Sequence, residues 1–289
     1  MKRFLVLCLV IWIAGIHSVW LVATARFKKT MKKFLFLLLL LLPMHAQAAR
    51  LYVSANSDCI TPSQGLIQGG SWTLAIWFKL ASLPGIGGQY VLFNDGSGTN
   101  LWNPLVYYEN AAGTKHIRTI TCSTFGIFHI SDWNVNLNTG QWYHLALMSG
   151  DRGGTNVYLI YLDGVSQTWT AGGTYVSEAN NGGAPRIGCG DAGTNFGFFD
   201  GTIAEIGRWA ANSSSATTAN LSNPEIIALS RGARPEKVHL LPASGTPRQY
   251  VWRLEGWQTT EPDIGPLHTT PATVTGAVRA NGPPVVPRW

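Results

Sequence analysis

From Arg50 onward the apolar residues recur with a period of two. Leu74-Ala-Ile-Trp-Phe-Lys-Leu80, Tyr90-Val-Leu-Phe93, His116-Ile-Arg-Thr-Ile-Thr121 and Tyr143-His-Leu-Ala-Leu-Met148 are short runs rich in β-branched and aromatic residues. Clusters of Gly, Asn, Asp, Ser and Pro separate them, which is the punctuation of a β sandwich. Val157 to Leu162, Asp163-Gly164 and Val165 to Trp169 read as a hairpin, because Asp-Gly supplies the positive φ angles of a two-residue turn. Helical periodicity is confined to Asn223–Gly232. There Ser222 or Asn223 can cap, Pro224 suits the first turn and Gly232 the stop. The tail from Thr270 reads as one final strand with a frayed end. No repeat of 20 to 50 residues is visible, which excludes a propeller or solenoid.

The first 48 residues follow another pattern. They hold no acid, seven of the 21 Lys and Arg residues, and two apolar runs. Phe4 to Ala23 is of about bilayer-spanning length. Met31-Lys-Lys33, the run Phe34 to Leu42 and Ala46-Gln-Ala48 then form a complete secretory signal with cleavage after Ala48. The expected organisation is a leader over 1–48 and one domain over 49–289. Residues 31–48 are the signal peptide, and 1–30 are either upstream sequence ahead of a true start at Met31 or a membrane anchor. A secreted or cell-surface location follows, with membrane contact only through an uncleaved leader.

Removing the leader changes the electrostatics. The whole chain has a pI near 9.2, but residues 49–289 keep 14 basic residues against all 15 acids, a net charge of −1. No basic stripe remains to neutralise phosphates, so nucleic acid is excluded as a partner. Cys59, Cys122 and Cys189 lack zinc-ligand spacing. One disulfide, Cys122 to Cys189, is expected because both lie in strand-like runs; three buried thiols are the alternative.

Several blocks, in order, resemble laminin-G-like jelly-roll domains of the concanavalin A-like superfamily. They are Arg50-Leu-Tyr-Val53, Trp72-Thr-Leu-Ala-Ile-Trp-Phe-Lys79, Gln141-Trp-Tyr-His-Leu-Ala146, Tyr161-Leu-Asp-Gly164, Arg186-Ile-Gly188, Phe199 to Trp209, and Leu221 to Leu229. The resemblance spans roughly 50–280. It implies an all-β, antiparallel two-sheet jelly-roll sandwich with one short helix near 223–231. Trp77, Trp142 and Trp209 are then core residues, His144 packs, and Glu205 lies on an exposed strand face or in a local hydrogen bond.

Function is less constrained than fold. Glycosidases of this architecture carry three carboxylates at alternating positions of one strand. Glu261-Pro-Asp263 is the only near miss and sits in probable loop sequence; there is no Gly-x-Ser-x-Gly elbow either. No catalysis is expected. The superfamily's occasional calcium would need hard oxygen ligands, for which Asn94, Asp95, Asp191, Asn195 and Asp200 are the candidates, although Asn and Asp also make ordinary turns. A sugar would stack on exposed aromatic rings. Trp102, Tyr107, Tyr108, Trp133 and Trp169 lie in or near loop-like sequence, with Asn103 among the hydrogen-bonding partners. The leading expectation is an exported carbohydrate-binding or adhesion module, a lectin in the broad sense. A structural or decoration protein of a cell surface or virion is the alternative, and an enzyme with an unrecognised site the third.

Overall fold

The structure is a computed structural model. It describes residues 48–63, 72–96, 102–124, 127–151, 156–168, 170–172, 185–190, 197–210, 221–238, 248–254, 259–265 and 270–283. The expected leader lies outside these residues except for Ala48.

Among the described residues seventeen strands form two antiparallel sheets. The eight-stranded sheet runs β10 (Val165–Gln167), β9 (Asn156–Leu162), β8 (Trp142–Asp151), β3 (Trp72–Leu80), β13 (Gly201–Ala210), β1 (Ala48–Tyr52) and β17 (Val278–Asn281), with β14 (Arg248–Trp252) also on β13. The nine-stranded sheet runs β11 (Thr170–Gly172), β7 (Ile127–Asn134), β6 (Thr114–Thr124), β5 (Trp102–Ala111), β4 (Gln89–Gly96), β12 (Arg186–Ile187), β2 (Cys59–Pro62), β16 (Ala272–Thr275) and β15 (Thr260–Glu261). The tail therefore supplies two strands, one to each sheet, where one was expected.

Alternation builds the core. Trp72, Leu74, Ile76, Phe78 and Leu80 of β3 meet Phe93, Val106, Tyr108, Ile117 and Trp133 of the facing sheet. Two buried ion pairs join the layers: Arg208 to Asp95 at 2.9 Å and Arg50 to Glu261 at 2.7 Å. The Arg208 guanidinium also lies 5.1 Å over the Trp72 ring.

The single α-helix of the described residues, α1 (Asn223–Ser230), follows the Ser222 cap, whose backbone N–H donates to Glu225 Oε2 at 2.6 Å. It ends as the sequence predicts, with Gly232 at φ 85° and Ala233 N–H donating to Ala228 O. Ile226 and Leu229 cover Ala75, Ala146, Tyr161 and Trp209 on the outer face of the eight-stranded sheet. The predicted hairpin forms with Asp163 at φ 50° and Gly164 at φ 79°.

Three expectations need correction. The disulfide joins Cys59 to Cys189, Cα atoms 5.4 Å apart, and not Cys122 to Cys189; β2 and β12 are neighbours, whereas Cys122 is on β6. Glu205 is buried at the β-bulge of β13 with φ 40°, which overturns the exposed-face half of its expectation and leaves the hydrogen-bonded one. Trp77 and Trp209 are buried, but Trp142 is only partly so and carries the Lys79 ammonium 5.1 Å over its ring.

Candidate functional site

The face of the nine-stranded sheet turned away from the core carries a polar network of five side chains around Arg118. Its register is set by one turn. Ala112 at φ 51° and Gly113 at φ 93° reverse the chain between β5 and β6, and Asn110 Oδ1 accepts from Gly113 N–H at 3.1 Å. Ala111 consequently sits opposite Thr114, Glu109 opposite His116, Tyr107 opposite Arg118 and Leu105 opposite Ile120. Directly opposed residues share a face. The outward set continues through Gln89, Val91 and Asn94 on β4 and through Ile130, Asp132 and Asn134 on β7.

Arg118 organises this face. Its Nε and NH2 groups donate to Asp132 Oδ1 and Oδ2 at 2.6 and 2.8 Å, and NH1 donates to Glu109 Oε2 at 3.2 Å. The Tyr107 hydroxyl is hydrogen-bonded to the same guanidinium, and burial raises that hydroxyl's pKa far above the ordinary tyrosine value. The Asp132 hydrogen bonds, ahead of all other effects, hold the Arg118 proton more firmly still. Gln89 Nε2 donates to Glu109 Oε2 at 3.4 Å, and His116 Nε2 lies 3.6 Å from that oxygen.

Exposure divides the network into two layers. Glu109, His116 and Tyr107 are buried. Solvent reaches Ile130, at 37% exposure, the exposed Asn134, and the partly open Asp132 and Arg118. An apolar side chain, a carboxylate and an amide thus stand in line on β7, backed by a rigid charged support.

The residues anticipated for sugar stacking are differently placed. Tyr108 and Trp133 point into the core, and the Tyr108 hydroxyl donates to Val135 O and accepts from Leu137 N–H. Tyr107 is on the outer face but 2% exposed. None of the three offers an open ring, because β5 and β7 are continuous strands and not loops. The Trp102 and Asn103 side chains, and Trp169, lie outside what the structure describes.

Of the anticipated calcium ligands, the described Asn94, Asp95 and Asp200 do not point to one site. Asn94 shares the outer face with Leu105, whereas Asp95 turns inward to Arg208, which already meets its charge. Asp200 accepts from Ser82 Oγ at 2.5 Å, which is itself 2.7 Å from the Tyr90 hydroxyl. Asp191 and Asn195 lie outside the described residues, among which no group of three His, Cys, Asp or Glu could hold a metal. Glu261 and Asp263 are likewise occupied, the first by Arg50, the second by the Val251 and Gly265 N–H groups.

Gln89, Glu109, His116, Arg118 and Asp132 were not singled out from the sequence. The available signal was charge at alternate positions, Tyr107-x-Glu109 and His116-x-Arg118, on either side of the Ala112-Gly113 turn.

A family model of laminin-G-like domains in the concanavalin A-like lectin/glucanases superfamily matches residues 54–217. The chain belongs to this family. Among solved structures, this laminin-G-like chain is similar to a Bacteroides ovatus protein with a proposed carbohydrate-binding role, at 15% identity and TM-score 0.54, covering 84% of this chain and 62% of that one. It is also similar to a heptameric pentraxin from Limulus polyphemus (13%, TM-score 0.47, 71% and 94% covered) and to a Ruminococcus gnavus sialidase carbohydrate-binding module (16%, TM-score 0.43, 56% and 84% covered). At 15% identity the likeness to the Bacteroides protein establishes the fold alone. The chain spans less than two thirds of the Bacteroides protein, and no curated protein matches it in sequence.

Proposed function

We propose that this laminin-G-like domain is an exported module that binds a glycan without transforming it, through the outer face of the nine-stranded sheet. The observation that carries this reading is the Arg118 network, which fixes Asp132 beside the exposed Ile130 and Asn134. Sugar recognition needs polar groups held in position next to an apolar surface for the ring's C–H face, and rigidity already present in the free protein lowers the cost of binding. The proposed carbohydrate-binding role of the Bacteroides relative agrees with it. Export is supported by the signal-like leader and by the Cys59–Cys189 disulfide, a bond that persists in oxidising compartments.

Binding without turnover is supported by the same geometry. A retaining glycosidase places the scissile bond between two carboxyl groups. Here one guanidinium bridges Glu109 and Asp132 and fills that space.

The test is a glycan array probed with the exported protein and its Arg118→Ala variant. Wild type should retain at least one saccharide family, and the variant should weaken it about 10- to 100-fold, the effect of losing one charge-assisted support. A blank array, with wild type sedimenting as a large assembly, would overturn the reading in favour of a structural scaffold.

A further inference from the structure

We infer that the β7 face selects uncharged, hydroxyl-rich saccharides and rejects their acidic counterparts; the inference rests on the glycan-binding reading above and names its ligand class. Among the described residues Arg118 is the cation bonded to the exposed strip, and acidic sugars are ordinarily held by arginine forks. This fork is spent. Three of its five N–H donors go to Asp132 and Glu109, and it also bonds Tyr107. Arg186, on the same face beside Asn94, donates to Gly190 O.

What Arg118 leaves outward is the far side of the Asp132 carboxylate, an acceptor, beside the Asn134 amide. Each carboxylate oxygen has two lone pairs, and the two hydrogen bonds from Arg118 take one on each Asp132 oxygen. Pairs of sugar hydroxyls can donate to those that remain. A sugar carboxylate would meet Asp132 first, and like charges across an interface discriminate strongly against a ligand.

Matched pairs decide the matter: lactose against sialyllactose, and methyl-esterified against free oligogalacturonate, all arrayed at about 150 mM salt so that long-range attraction is screened. Wild type should retain the uncharged member of a pair at least tenfold better than the acidic one. Asp132→Asn, which removes the charge and releases Arg118, should narrow that ratio at least tenfold, whereas Asp132→Glu should keep its direction. Thermal unfolding confirms that both variants are folded, and the Asp132→Glu arm stands if Asp132→Asn is not. Preference for the acidic member by wild type, or an unchanged ratio in Asp132→Asn, overturns this inference and leaves glycan binding intact. Retention of no saccharide, within these pairs or on the wider array, overturns both.

Discussion

Acid should destabilise this protein through His144 in particular. The side chain is 1% exposed, packs edge-on against Trp77 with ring centroids 5.1 Å apart, and has no hydrogen-bond partner for Nδ1. Burial lowers its pKa from 6.5 to about 3. The unfolded chain therefore takes up this proton more readily than the folded one, and stability falls as pH drops below about 6.5 until the folded pKa is reached. At about 1.36 kcal/mol per tenfold change in proton affinity, the loss is about 3 kcal/mol at pH 4 and about 4 kcal/mol at pH 3. Asp163 acts with the opposite sign, because partial burial raises its carboxyl pKa against the lowering effect of the hydrogen bond from His144 N–H. Folded Asp163 gains stability relative to the unfolded chain as pH falls. Comparison with His144→Phe cancels that contribution, since the two proteins share it. Urea unfolding of wild type and variant, followed by tryptophan fluorescence at pH 7, 6, 5 and 4, should give curves that diverge with acid, the variant keeping about 3 kcal/mol more of its neutral-pH stability at pH 4. Parallel curves would refute the reasoning.

Two further predictions concern cross-links between distant parts of the chain. Non-reducing peptide mapping should recover Cys59 joined to Cys189, with Cys122 alkylated in the unfolded, unreduced protein; the Cys59→Ser/Cys189→Ser variant should lose about 2–5 kcal/mol in urea unfolding. Glu261→Leu alone should cost about 3–5 kcal/mol by leaving the Arg50 guanidinium buried without its carboxylate, and Arg50→Met in the same chain should restore most of that loss. Recovery of a Cys122–Cys189 peptide, or additive effects of the two substitutions, would contradict these assignments.

Local chemistry was legible where a few adjacent residues decide the outcome. Asp163-Gly164 dictates its turn by backbone conformation alone, and Ser222, Glu225 and Gly232 delimit α1 within a dozen residues. The sandwich likewise follows from alternation in β3 and β8. Misread segments were those in which remote partners override local signals. Asn94-Asp95-Gly96 has the composition of a turn but continues β4 through a bulge, because Asp95 finds Arg208 on the other sheet. The stretch holding Trp102, Tyr107 and Tyr108 is loop-like in sequence but forms β5, whose register against β6 creates the Arg118 network. Cysteine pairing was hidden for the same reason, since only the order β4-β12-β2 brings Cys59 to Cys189.

A glycan bound across β7 would cover the Ile130 side chain. That side chain is solvent-exposed, so Ile130→Glu should change stability by no more than about 0.5 kcal/mol. Calorimetric titration of the best array saccharide should give a saturable wild-type isotherm, weakened at least tenfold in Ile130→Glu. Equal affinity in the two proteins would contradict the account.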